Sequence, residues 1–196
     1  MEKKERRIIN EMRSIGRDLF LRGLVGSHSG NMSVLVDEEI YITRTKSMLG
    51  RLKREDIVRV PLVKLTEEVL KIASSEISVH LSIYKNTDAK AILHAHPPYA
   101  VILSLISEEI EVNPCDYEGK LILGSFHILS TEGLSKEERA ERIAFSLQKS
   151  KAVVEKGHGS FAKGDSLEEA YMYTTSLESS SFFQYHLETL VKRRGR

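Results

Sequence analysis

Two histidines two residues apart close an apolar run in Ala91-Ile92-Leu93-His94-Ala95-His96, and Pro97-Pro98 follow at once. If the run is a strand, side chains two apart leave the same face, so both imidazoles stand together and offer half of a metal site. Seven histidines in 196 residues give about 0.25 such spacings by chance, so the pair gains weight only from its company. His158 stands between Gly157 and Gly159 after the strand-like Lys151-Ala152-Val153-Val154-Glu155. Glycines there leave room for a ligand, and a plain turn explains them equally well. Brought together, His94, His96 and His158 would make three imidazoles with an open position, the donor set of a catalytic rather than a closed structural zinc. His127 is alone in its run and reads as a strand or surface histidine.

Other stretches add charge and hydroxyls. Ser74-Ser75-Glu76 opens a helix whose apolar stripe is Ile77, Leu81 and Tyr84, and a serine there can cap free amides. Glu76 falls in the first turn, where a carboxylate either serves the helix dipole, worth about 0.3–1 kcal/mol, or does chemistry. His80, one turn on, either contacts Glu76 or packs. Thr43-Arg44-Thr45-Lys46-Ser47 leaves a strand end with three hydroxyls and two cations, which suits either an anion or an exposed polar loop.

These groups need elements to hold them. Ile8, Met12, Ile15 and Leu19 predict a helix ending before Gly23. Met32–Val36 and Ile40–Ile42 predict a hairpin turning at Asp37-Glu38-Glu39, and Asp56–Val60 a further strand that Pro61 puts at an edge. Leu62–Ala73 is open between helix and loop. Tyr99–Ile106 reads as a helix; Leu121-Ile122-Leu123 and Phe126–Leu129 read as strands. Ser135 with Glu138, and Asp165 with Glu168, have capping-box spacing and predict two more helices, the second long and terminal, with Arg193, Arg194 and Arg196 at its negative pole. Alternating strands and helices with at least one hairpin predict a single layered α/β domain over 1–196 with a mixed sheet.

Composition excludes several classes. The chain is 41% hydrophobic and 29% charged, enough for one real core. Twenty-nine basic against 28 acidic residues leave a formal charge of +1, no general field for nucleic acid or an anionic membrane. No run approaches the ~18 apolar residues of a membrane span, and the charged start lacks a signal-peptide core. Cys115 is the single cysteine, so no intrachain disulfide forms. The expectation is a cytoplasmic protein.

From about Ile8 to Leu187 the chain resembles the class II aldolase and adducin family. The resemblance rests on Ser29-Gly30-Asn31-Met32-Ser33, Ile42-Thr43, Glu55-Asp56-Ile57-Val58, Ser74-Ser75-Glu76 with His80, His94-Ala95-His96, and Gly157-His158-Gly159 followed by Gly164 and Leu167-Glu168-Glu169-Ala170. It implies an α/β/α domain with a mixed, largely antiparallel central sheet. It implies zinc, or Mn²⁺, Co²⁺ or Fe²⁺, on His94, His96 and His158, with Glu76 as acid/base. It implies a phosphate pocket from Gly30, Asn31, Thr43, Thr45, Ser74 and Ser75, and a tyrosine, at about Tyr117, reaching the site of an adjacent subunit in a homotetramer. The implied reaction is reversible retro-aldol cleavage of a ketose 1-phosphate to dihydroxyacetone phosphate and an aldehyde through an enediolate that the metal stabilises. Epimerisation, dehydration or decarboxylation on a related phosphorylated sugar, and a non-catalytic interaction module, are the alternatives. The chain departs from the family where Thr-Pro-Ser/Thr-Gly is common: Arg44 and Lys46 replace proline and glycine, and His28 stands where a small hydroxyl residue is usual. The added charge would strengthen phosphate binding, greet a carboxylate, or crowd the pocket.

Overall fold

Helix α1 (Glu2–Leu21) buries Ile8, Met12, Ile15 and Leu19 along one stripe and leaves charges outside. Gly23, at φ +70, ends it: the Leu24 amide reaches back to the Leu19 carbonyl at 2.9 Å, the long bond of a left-handed helix cap. The computed structural model describes residues 2–63, 66–108 and 110–194, with side chains beyond 191 and that of Glu2 excepted.

Strands β1 (Asn31–Val36) and β2 (Glu39–Thr43) form the expected hairpin. Asp37 and Glu38, at φ 52 and 64, make a two-residue turn whose twist matches that of the paired strands. β3 (Ile57–Pro61) pairs with β2 and is an outer strand, where proline's missing donor does no harm. Thr66 caps α2 (Glu67–Ile72), so the later part of the open stretch is a short helix, while residues 64 and 65 lie outside the described ones. α3 (Ile77–Asn86) follows, with Glu76 at its N-cap position.

β4 (Ala91–Ala95) is buried along its whole length and lies mid-sheet, which is why its sequence is a continuous apolar run. The chain continues through α4 (Pro98–Ile106), β5 (Glu111–Val112), α5 (Tyr117–Ile122), β6 (Phe126–Leu129), α6 (Lys136–Leu147), β7 (Ala152–Glu155), β8 (Gly159–Gly164) and α7 (Leu167–Arg194). Sheet order is β3-β2-β1-β4-β8-β7-β6-β5, antiparallel throughout except for the parallel pair β6 and β7. This is the mixed, largely antiparallel sheet expected.

Alternate residues of the strands feed two cores. Met32, Leu93, Val154 and Ala162 face α1, α4 and α7, while Ile42, Ile92, Val153 and Phe161 face α3 and α6. The result is an α/β/α sandwich with both sheet faces covered.

Two sequence expectations fail. Leu121-Ile122-Leu123 is not a strand: the Asp116 carboxylate accepts the Gly119 amide at 2.7 Å and starts α5 through Ile122, with Leu121 exposed. A three-residue apolar run is too short to carry a period, and the cap decides. The last helix is capped one residue later than expected, by Ser166, which accepts the Glu169 amide while Glu169 accepts that of Asp165. The Arg193 and Arg194 side chains and Arg196 lie outside the described residues. Among the described residues no helix is long and apolar enough to cross a membrane.

Candidate metal centre and anion pocket

His94 is in β4, opposite Asn31 of β1 on one side and Phe161 of β8 on the other. His96 lies just past the strand, its amide tied to the Leu24 carbonyl at 2.8 Å. His158 belongs to the three-residue loop joining β7 to β8, in which Gly157 adopts φ +71. Sequence separation is thus removed by a single strand pairing. One potential ligand atom from each imidazole lies within 4.8 Å of the others, and ring centroids are 4.7–5.3 Å apart.

The hydrogen bonds orient the rings. His94 donates from Nδ1 to the Ser160 carbonyl at 2.9 Å, and His158 donates from Nδ1 to Glu155 Oε2 at 2.6 Å, so Nε2 is the atom each ring has left for a ligand. His96 Nδ1 is buried and has no hydrogen-bond partner among the described residues. Burial, with the neighbouring imidazoles second, holds His94 well below the usual histidine range and lowers His96 as well. Three clustered imidazoles, two of them kept from protonation by burial and one carrying an unmet nitrogen, fit a divalent cation.

Gly159 makes this cluster possible. A Cβ there would sit 2.4 Å from the Ala95 carbonyl oxygen, 2.9 Å from His96 Cδ2 and 3.2 Å from His94 Cε1.

A polar pocket opens beside the rings, lined by the three histidines, Glu76, Gly30, Asn31, Thr45, Ser74 and Ser75. Two strands of loop are stitched together to form it: the Thr45 amide bonds the Ile72 carbonyl at 3.1 Å and the Ser74 amide the Thr43 carbonyl at 3.0 Å. Thr43 itself is fully buried behind the pocket, its hydroxyl accepting the Met32 amide at 3.2 Å. It holds the hairpin rather than facing a ligand. Arg44, Lys46, Ser47, His28 and Ser29 also line the space. Lys46 has φ +60, a left-handed backbone that costs a non-glycine residue roughly 1–2 kcal/mol.

Asn31 is aimed by a buried relay. Burial lowers His80 to about 3, so its ring is neutral. His80 donates from Nε2 to Asn31 Oδ1 at 2.7 Å and accepts at Nδ1 from Ser33 Oγ at 2.6 Å, and Tyr84 donates to Ser33 at 2.7 Å. With its carbonyl occupied, Asn31 keeps its amide donors for the pocket. The His80 amide bonds the Glu76 carbonyl at 3.1 Å as part of the helix, while its imidazole serves Asn31 and so does more than pack.

Two residues that carry no motif complete the site. Arg139 of α6 donates from Nη1 to Glu76 Oε2 at 2.7 Å, and from Nε and Nη2 to Glu155 at 2.6 and 2.7 Å. Burial pushes the Glu155 carboxyl up, but the bonds from Arg139, His158 and Thr131 outweigh it and hold the group well below the usual carboxylate range. The one available sign in the sequence was an acid closing the apolar run Ala152-Val153-Val154.

Tyr117 is elsewhere. It begins α5, is 75% exposed, and borders a separate depression with Ile122 and Phe183. In its own chain it does not line the histidine pocket. Tyr117, Leu121, Phe183, Leu187 and Leu190 leave an apolar band exposed along α5 and α7.

Residues 10–185 match the family described as Class II Aldolase and Adducin N-terminal domain. The chain is 34% identical over 181 residues to L-fuculose phosphate aldolase of Methanocaldococcus jannaschii, covering 91% of this chain and 96% of that one. The crystal structure of L-fuculose-1-phosphate aldolase from Thermus thermophilus superposes with a TM-score of 0.87 at 34% identity, over 95% of this chain and 96% of that one. A 3-oxo-tetronate 4-phosphate decarboxylase of Haemophilus influenzae is 27% identical over 184 residues, 90% of this chain and 86% of the relative. A fold shared over nearly full length and a family match that spans every residue of the histidine pocket lead to one conclusion: the chain belongs to the class II aldolase and adducin family.

Proposed function

We propose that the protein is a divalent-metal-dependent aldolase that cleaves a ketose 1-phosphate resembling L-fuculose 1-phosphate into dihydroxyacetone phosphate and an aldehyde. The observation that carries this reading is the trio His94, His96 and His158 sharing one polar pocket with Glu76. Zinc, or Mn²⁺, Co²⁺ or Fe²⁺ in its place, would be held by the three imidazoles and would supply a Lewis acid for the oxygens that gain negative charge as the carbon–carbon bond breaks.

The chain's own residues do the rest. Asn31 amide donors, the Ser74 and Ser75 hydroxyls, Gly30, Thr45 and the Lys46 cation bind the phosphate, which anchors the reacting carbons beside the rings. The bond between C3 and C4 breaks, its electron pair moves toward the C2 carbonyl, and C4 leaves as the aldehyde. Glu76 then delivers a proton to C3, completing the triose phosphate. As C4 becomes the aldehyde, the proton of its hydroxyl passes to Tyr117 of the partner subunit, entering as the phenolate, so that one proton leaves the C4 oxygen for each one that Glu76, entering protonated, gives to C3. That role fits its distance from its own pocket and requires an oligomer; a homotetramer of cytoplasmic single-domain chains with active sites at subunit boundaries is the arrangement we infer.

Decarboxylation of a phosphorylated sugar acid is the second reading. It draws support from the decarboxylase relatives and from Arg44 and Lys46, a pair of cations suited to a carboxylate. Product analysis on ketose 1-phosphates and 3-oxo acid phosphates decides between them. Triose phosphate plus aldehyde supports the aldolase, carbon dioxide supports the decarboxylase, and an unchanged carbon count with a new isomer removes both.

A further inference from the structure

Glu155 is buried, yet none of the hydrogen-bonding capacity of its carboxylate is wasted. Oε1 accepts from Thr131 Oγ1 at 2.5 Å and from Arg139 Nε at 2.6 Å. Oε2 accepts from Arg139 Nη2 at 2.7 Å and from His158 Nδ1 at 2.6 Å. A carboxylate has about four acceptor sites, and here all are filled, so it has no alternative arrangement of equal energy. That locks the planar guanidinium of Arg139 by two of its three nitrogens, and its carbon lies 5.9 Å from the centroid of the Phe161 ring. The remaining corner, Nη1, bonds Glu76 Oε2 at 2.7 Å, the one hydrogen bond that the Glu76 carboxylate accepts among the described residues.

We propose that Arg139, locked by Glu155, is a positioning residue that holds the proton-carrying Glu76 and the His158 imidazole in fixed relation to each other. The proposal rests on the roles given above to Glu76 and the histidines. Side-chain exposures of 19% for Arg139, 4% for Glu155 and 17% for Glu76 put the array at the pocket wall, where a long acidic side chain would otherwise sample several rotamers. The guanidinium thereby sets the place of the acid/base carboxylate directly, and the direction of the ligand ring through Glu155, which bonds that ring itself. Lysine cannot replace it, because an ammonium lacks the planar three-nitrogen fork that spans two carboxylates at once.

An ion pair that only braces the fold would have the same contacts, so the test must move something that bracing does not. Removing Arg139 alone strands a buried carboxylate and risks unfolding. The informative variants are therefore Arg139→Lys and the double change Arg139→Met with Glu155→Leu, which replaces the charges by apolar groups of similar size. Two readouts are taken: kcat and KM on the ketose 1-phosphate that the wild-type protein cleaves, and Co²⁺ affinity of metal-stripped protein. For Arg139→Lys we expect at least a tenfold fall in kcat with KM unchanged and Co²⁺ affinity within threefold of wild type. For the double variant we expect an unchanged or higher melting temperature, Co²⁺ affinity lower by roughly tenfold or more, as for other partners of ligating histidines, and the same loss of kcat. A double variant that binds Co²⁺ as tightly as wild type overturns the proposal, and so does a lysine variant with full kcat. If wild-type protein cleaves no ketose 1-phosphate, the function proposed above fails, while the Co²⁺ arm still reports on Arg139 and Glu155 without substrate.

Discussion

Adding a single methyl group at Gly159 should dismantle the candidate metal centre while leaving His94, His96 and His158 in the chain. The new Cβ would lie 2.4 Å from the Ala95 carbonyl oxygen, about 1 Å inside the 3.3–3.6 Å at which carbon and carbonyl oxygen ordinarily meet. It would also lie 2.9 Å from His96 Cδ2 and 3.2 Å from His94 Cε1. The carbonyl cannot retreat alone, because Ala95 is paired with Ser160 in the β4–β8 ladder. Relief must come from parting the strands or swinging the rings. Overpacking of this kind costs about 1–3 kcal/mol in stability, and metal–ligand distances tolerate only about ±0.2 Å. We therefore expect Gly159→Ala to lose at least a hundredfold in Co²⁺ or Zn²⁺ affinity, about 2.7 kcal/mol. Thermal melts of metal-stripped protein with and without added ion read this directly, since an ion that binds only the folded chain raises the melting temperature. Gly157→Ala is the control: it meets only the flexible end of Leu105, at 3.1 Å, although its φ of +71 carries backbone strain. It should melt lower yet keep the metal-induced rise. A Gly159→Ala protein with the full rise would show that the rings do not meet at this strand junction to bind the ion.

Lys46→Gly should leave stability equal or slightly higher, because relief of a left-handed lysine offsets glycine's extra freedom in the unfolded chain, while KM for a phosphorylated substrate rises roughly tenfold, about 1.4 kcal/mol; unchanged KM would remove the cation from phosphate binding. Acid should destabilise the metal-stripped protein through His80, whose folded pKa of about 3 lies below its unfolded 6.5. The unfolded chain then binds the extra proton, so this contribution is complete above pH 6.5, about 2 kcal/mol smaller at pH 5, and exhausted near pH 3. Urea unfolding at pH 7 and pH 5 should show that His80→Gln flattens the slope, and an equal slope would refute it. Glu178→Ala should lower stability by about 1–2 kcal/mol, since its carboxylate accepts the Tyr99 and Ala100 amides at the start of α4 at 3.0–3.1 Å. Its metal-induced rise in melting temperature should stay at the wild-type size.

The sequence told most where chemistry and local geometry coincide. His94 and His96 announce themselves because a strand's period of two is short enough to read directly, and the hairpin, the edge proline and the Ser135 capping box follow from equally local rules. Leu121–Leu123 misled because three apolar residues fit a strand or a helix, and the deciding Asp116 cap lies outside the run. Thr43 resembled a pocket residue by motif, yet the last residue of β2 turns its hydroxyl to the hairpin backbone. Arg139 was silent: its partners Glu76 and Glu155 are 63 and 16 residues away, and no local period announces a convergence made by sheet order.

That convergence traces to one reversal in the direction of the chain. Wherever neighbouring strands run the same way, a tight turn cannot join them and the polypeptide must travel back over the sheet. In this fold that happens once, between β6 and β7, and the return journey is α6, laid against α3 and carrying Arg139. On the function proposed above, the strands would hold the metal, and a neighbouring layer would hold the proton carrier in place. Exchanging the return segment would retune acid–base behaviour without rewriting the histidine-bearing strands, a division that makes this excursion the natural place to graft new reactivity.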